Sequence, residues 1–98
     1  MHIWIDAVVR PGKSAAEVRR KREEWISQGK EKIILEKCKS AQRFGVIGSV
    51  PQRVFWLIET EDKSAPRLIS EHFSDVWEIK TYKVNPQSIG EVLKKVEE

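Results

Sequence analysis

Two side chains that can carry protons stand close together at the start of the chain. His2 and Asp6 fall in the segment His2–Val9, whose alternation and β-branched residues predict a strand. Side chains two and four positions apart share one face of a strand, so both should face the same way as Trp4 and Val8. An Asp on such an apolar face should have a raised pKa and could act as a general acid or base, with His2 assisting. The alternatives are a carboxylate paired with Lys or Arg and an exposed one.

A second acid/base candidate is Glu36. It falls in the segment Lys32–Lys39. We interpret this segment as a strand because it contains three consecutive apolar residues. Glu36 is catalytic if its face is the inner one, and otherwise an edge charge that discourages aggregation. Lysines flank Cys38 and could lower the pKa of its thiol, but no His or Asn spacing marks a nucleophile pair, so a structural role is favoured.

Tryptophan is abundant for a chain of this size, with four residues. Trp25 has the spacing of a helix core residue, whereas the other three fall in predicted strands. Those three could line a pocket for a flat apolar ligand, or fill an interface between sheets. The substrate-binding candidates are therefore Trp4, Val8, Trp56 and Trp77.

No metal site or cofactor is expected. His2, His72 and Cys38 lack the spacing of metal ligands, and His72 suits the buried edge of a helix. The sequence contains no glycine-rich phosphate loop and no Ser-His-Asp pattern.

The hydrophobic patterning predicts strands and helices in the order β-α-β-β-α-β, followed by a terminal helix. Ser14 begins a capping box, and Gly29 suits the end of the first helix. Asp62 or Ser64 should cap the second helix. The predicted strands are His2–Val9, Lys32–Lys39, Val54–Thr60 and Val76–Val84, and the chain should remain extended over Phe44–Val50. The first predicted helix runs from Ser14 to about Gln28, and the second begins near Ser64. The terminal helix carries Ile89, Val92, Leu93 and Val96.

This order is that of the ferredoxin-like α+β fold, a four-stranded antiparallel sheet with helices on one face, here one domain over residues 1–98. The other face carries Trp4 and Val8. An apolar second face must be covered by a second subunit, a ligand or nucleic acid. The third strand contributes to it either Phe55 and Leu57 or Val54, Trp56 and Ile58.

The composition is that of a globular protein, with 40% hydrophobic and 34% charged residues and a net charge of +3. Residues 10–43 hold 11 basic and 5 acidic residues, a net of +6. The run Arg19–Arg22 fans around a helix and so favours a solvated face over a phosphate-binding stripe. A lone cysteine, the absence of a membrane-length apolar run and the absence of a leader lead us to expect a cytoplasmic protein without a membrane partner.

A family likeness is carried by six segments spread over nearly the whole chain, namely His2–Asp6, Arg22–Glu24, Gly29–Lys30, Gly48–Asp62, Leu68–Ser70 and Asn85–Ile89. By their order and spacing, rather than by one signature, these segments resemble the muconolactone isomerase family. Trp4 and Gly45 depart from the family pattern, because each stands where the family has an arginine.

The resemblance implies a dimeric α/β barrel, in which two subunits pair their sheet faces around a pocket and assemble further into rings. It implies proton transfer on an unsaturated lactone without metal or cofactor, and a role for Asp6. The two missing arginines leave a different small-molecule ligand as an equal alternative.

A second hypothesis is that the chain is a ligand-binding or structural module that has the same fold but no catalytic activity. An RNA-recognition module is disfavoured because the expected Gly-aromatic signature is missing from Arg53–Leu57.

Overall fold

The computed structural model describes residues 1–90. Within them, four strands form one antiparallel sheet in the order β2-β3-β1-β4, and three helices accompany it. This confirms the ferredoxin-like α+β fold. The elements are β1 (His2–Val9), α1 (Ala15–Ser27), α2 (Lys30–Lys37), β2 (Ser40–Gly45), β3 (Arg53–Glu59), α3 (Ser64–Phe73) and β4 (Trp77–Val84).

Helix α1 begins and ends as its sequence predicts. The Ser14 hydroxyl accepts a hydrogen bond from the Glu17 amide at 3.2 Å, which satisfies one of the free amides of the first turn. Gly29, which follows the cap residue Gln28, adopts a left-handed φ of +72°. Val18 and Trp25 are the buried positions of α1, which confirms Trp25 as a core residue, whereas the apolar residue next to it, Ile26, is exposed.

The predicted strand over Lys32–Lys39 is wrong, because residues 30–37 form the short helix α2. Backbone amides donate to carbonyls four residues back, as from Ile33 to Gly29 at 3.2 Å. Only Ile34 of the apolar run is buried, which suits one face of a helix rather than a two-sided strand. The following strand, β2, accordingly covers Ser40–Gly45, and only its last two residues overlap the predicted extended segment.

Strands β3 and β4 lie within one residue of their predicted bounds, and helix α3 begins where it was predicted to begin. Asp62 supplies the cap of α3, since its Oδ1 accepts the Ser64 amide at 2.8 Å. The buried face of α3 consists of Ala65, Ile69, His72 and Phe73, so His72 is buried as predicted. The predicted terminal helix falls outside the described residues except for its start, where Ile89 and Gly90 are helical.

The core lies between the helices and one face of the sheet. Alternate residues of the two central strands enter it, so Ile3, Ile5 and Ala7 are buried and their neighbours in sequence face the other way. The aromatic centre of the core is Trp25, Trp56, Phe73 and Trp77. Within residues 1–90, no helix is long and apolar enough to cross a membrane.

Candidate functional site

Within residues 1–90, the helices leave one side of the sheet uncovered, and we call this side the open face. Directly paired residues of neighbouring strands share a face, so the pairing registers identify its members. His2 lies between Glu59 and Val84, Trp4 between Leu57 and Tyr82, and Asp6 between Phe55 and Lys80. The open face consists of His2, Trp4, Asp6, Val8, Ser40, Gln42, Phe44, Arg53, Phe55, Leu57, Glu59, Glu78, Lys80, Tyr82 and Val84.

An aromatic cluster occupies the middle of the open face. The Trp4 ring lies 4.9 Å from the Phe55 ring and 6.3 Å from the Phe44 ring, between centroids. Leu57 and Tyr82 flank Trp4 on the neighbouring strands. Phe44 and Tyr82 are nearly half exposed, at 44% and 49%. This cluster is an apolar surface of the kind that proteins cover with a partner or a ligand.

Asp6 lies next to this cluster, as predicted, and has an ion-pair partner. Its Oδ1 lies 3.3 Å from Nε of Arg53, but the contact lacks the alignment of a hydrogen bond and leaves this buried oxygen without a donor. Lys80 is the cross-strand neighbour on the other side. A cleft of about 160 Å³ runs past these groups, lined by Asp6, Val8, Arg53, Glu78 and Lys80.

His2 belongs to a separate polar group at the other end of the open face. Its Nε2 lies 3.4 Å from Oε2 of Glu59, and Lys39 lies 3.9 Å from the other carboxylate oxygen. A cleft of about 440 Å³ adjoins the pair. His2 and Asp6 are four positions apart in the strand, which is about 13 Å, so the two cannot act on one atom.

Three predicted site residues lie away from the open face. Glu36 is exposed on helix α2, because the predicted strand that was to carry it does not exist. Trp56 is buried beneath the helices, 6.1 Å from the Trp25 ring, and Trp77 stacks on Phe73 at 4.5 Å. The registers of β3 and β4 place both indoles on the side of the sheet that the helices cover. The prediction that Trp56 and Trp77 line a ligand pocket is therefore wrong.

Sequence reasoning did not select Arg53 or Glu59 as partners of the site. Each pairs with a residue of β1 that is remote in the chain, so only the β1–β3 register brings them together. Alternation within β3 places one set of side chains on a single face, namely Arg53, Phe55, Leu57 and Glu59. This alternation is the feature of the sequence that could have identified Arg53 and Glu59 as residues of the site.

His72 has a structural role. Its Nε2 lies 2.8 Å from the carbonyl oxygen of Lys21, which can only accept, so Nε2 carries the proton. Nδ1 then accepts from Nζ of Lys30 at 3.0 Å. The ring thereby joins three helices.

The Cys38 thiol is not activated by its flanking lysines. Burial raises its pKa, and this effect exceeds the lowering by Lys37. Among residues 1–90, no group of three His, Cys, Asp or Glu side chains could hold a metal ion.

No protein-family model and no curated protein matches the chain, whereas solved structures do. One is the 5-chloro-2-hydroxyhydroquinone dehydrochlorinase TftG from Burkholderia phenoliruptrix AC1100, in complex with 2,5-dihydroxybenzoquinone. The two share 11% identity over 89% of this chain and 96% of TftG, with a TM-score of 0.56. The Arabidopsis thaliana protein At3g17210 shares 13% identity over 90% of this chain and 96% of its own, with a TM-score of 0.54.

The protein ORF119 of Sulfolobus islandicus rod-shaped virus 1 is also similar. It shares 13% identity, with a TM-score of 0.53, over 99% of this chain and 78% of its own. At these identities the likeness is one of fold, and the ferredoxin-like architecture is what this chain shares with its structural neighbours.

Proposed function

We propose that the chain forms a homodimer whose open faces close a barrel around a pocket, and that Asp6 transfers protons there on a small, flat organic molecule. The proposal follows the resemblance to muconolactone isomerases. The observation that carries it is the position of Asp6, a carboxylate beside the aromatic cluster of an uncovered sheet face.

The aromatic cluster accounts for the proposed ligand shape. Trp4 and Phe55 present ring faces that suit a planar conjugated molecule, and pairing with a second sheet would remove the site from water. A dry pocket strengthens every electrostatic interaction inside it, which an acid/base reaction needs.

The charged groups near Asp6 account for the chemistry. Isomerisation removes a proton from one carbon and returns it at another, so one carboxylate suffices as the shuttle. Negative charge would develop on the ligand's oxygen, and Arg53 and Lys80 are the cations beside Asp6 that could stabilise it. His2 and Glu59 would then contact the far end of a ligand rather than the reacting carbon.

Deuterium exchange at carbon tests this proposal without knowledge of the true substrate. Muconolactone and 2,5-dihydroxybenzoquinone are incubated with the protein in D₂O, and loss of carbon-bound hydrogen is followed by proton NMR. We expect exchange above the buffer rate with one or both, and a loss of about a hundredfold in Asp6→Asn. Glu36→Gln, on the exposed side of helix α2 and away from the open face, is the matched control. Equal rates for wild type and Asp6→Asn would refute the role of Asp6 and leave a ligand-binding module.

A second candidate function is RNA binding by an open monomeric face. Trp4 on β1 and Phe55 on β3 occupy the two central strands, where RNA-recognition modules stack bases. This function requires the face to remain uncovered. A monomer in solution that binds single-stranded RNA with steep salt dependence would favour it over the barrel.

A further inference from the structure

The hairpin joining β2 and β3 carries the most exposed apolar side chains of the described chain. Ile47 is 100% exposed and Val50 is 95% exposed. The nine residues from Phe44 to Gln52 contain no charge, although a third of the whole chain is charged. An uncharged loop with two fully exposed aliphatic side chains is a surface that a partner covers.

The hairpin is a shaped element rather than a loose loop. The Val46 amide donates to the Arg53 carbonyl at 3.0 Å, and the Ser49 hydroxyl donates to the Pro51 carbonyl at 2.7 Å. Gly48 supplies the left-handed residue of the turn, with a φ of +79°. The Val9 amide bonds the Gln52 carbonyl at 3.0 Å and so ties the base of the hairpin to β1.

The open face alone is small for a stable dimer. It consists of the fifteen residues named above, whereas a standard interface draws on about 20 to 30 residues from each partner. Additional surface must therefore join the contact. The hairpin is continuous with the open face, because Phe44 belongs to both.

From this shortfall and this continuity we infer that the hairpin tip, Ile47 and Val50, packs against the second copy of the chain and completes the dimer interface. The inference rests on the proposed dimer, and it identifies the hairpin tip as the element that strengthens the association of the two subunits. In a twofold interface each substitution acts at two equivalent places, so the tip should contribute strongly.

Two double variants test this, each measured by light scattering over a dilution series. I47S/V50S removes the apolar side chains of the tip, and I26S/L35S removes two exposed apolar side chains from the helix side, at 60% and 62% exposure. We expect the tip variant to weaken dimerisation at least tenfold and the helix-side variant to change it less than about twofold. Far-ultraviolet circular dichroism checks the fold, and the single variant I47S replaces the tip variant if that one misfolds.

The possible outcomes separate the two proposals. A wild-type dimer that the tip variants leave unchanged, or that both double variants weaken equally, overturns the inference while the barrel proposal stands. A wild-type chain that stays monomeric at every concentration overturns both.

Discussion

Asp62 illustrates how one side chain sets the start of an element. The Ser64 hydroxyl and amide donate to its Oδ1 at 2.6 and 2.8 Å, and Lys37 donates to its Oδ2 at 3.0 Å. Hydrogen bonds from Ser64, followed by those from Lys37, hold the pKa of Asp62 at about 2, well below its usual range. Because the folded state depresses this pKa, the resulting stability is complete above about pH 4 and is lost as the pH falls through 2.

We therefore predict that Asp62→Ala lowers the melting temperature by about 5 °C at pH 7, because it removes the cap of α3. The difference from wild type should narrow below pH 4, because the Asp62 carboxylate of the unfolded wild-type chain then gains a proton while that of the folded chain stays ionised. Differential scanning calorimetry from pH 7 to pH 3 measures both effects. Glu36→Ala, on an exposed helix face, should follow the wild type throughout. A difference that stays constant with pH would contradict the electrostatic part of this account.

The site residues also show the limits of local reasoning. Trp4, Asp6 and Val8 share a face because strand geometry alternates side chains, and that much follows from the sequence alone. The ion-pair partner of Asp6 does not follow from the sequence alone, because Arg53 reaches Asp6 only through the pairing of β1 with β3.

At the scale of elements, the junction of α1 and α2 decides how the chain turns between helices. Gly29 follows Gln28, the cap residue of α1, and its amide donates to the Ile26 carbonyl at 3.0 Å. The same glycine is the residue that precedes α2. Its φ of +72° lies in the left-handed region that residues with a Cβ atom rarely adopt.

Gly29→Ala should lower the free energy of unfolding by about 1 kcal/mol. The cost is conformational, because an added Cβ meets nothing within 4 Å. Gly45→Ala is the matched control, with equal space and no left-handed φ, and we expect little change there. Urea unfolding gives both values. Equal stability of the two variants would show that the junction does not require a glycine.

Helix α2 also explains why residues 32–39 were predicted as a strand. Three consecutive apolar residues suit a strand buried on both sides, and an eight-residue helix is too short for a clear helical period. The fold around α2 decides the matter, because Arg43 from β2 bonds Glu31 at 2.9 Å and Trp25 from α1 bonds the same carboxylate.

At the scale of the whole molecule, the sheet has one covered and one uncovered side. Trp25, Trp56 and Trp77 are buried on the covered side, and Trp4 alone of the four tryptophans lies on the open face. Fluorescence quenching by acrylamide therefore reports on the open face. In a dimer closed over this face, Trp4 should become inaccessible as well.

We predict a wild-type mass near 23 kDa, twice the 11.4 kDa of one chain, or a larger even multiple. Leu57→Lys, which places a charge beside Trp4, should give a monomer whose Trp4 is readily quenched. Leu35→Lys on the exposed side of α2 should keep the wild-type mass. Light scattering and acrylamide quenching measure the two properties. A Leu57→Lys protein of unchanged mass would rule out the open face as the interface.

The sequence by itself determined β1, β3 and β4, helix α1, the start of α3 and the shared face of Trp4 and Asp6. These depend on alternation, helical period and capping, which act over a few neighbouring residues. Only the tertiary structure decided that α2 is a helix, that Trp56 and Trp77 lie in the core, and that Arg53 and Glu59 join the open face. Strand register and helix packing bring distant residues together, and a local pattern does not specify which partner each residue meets.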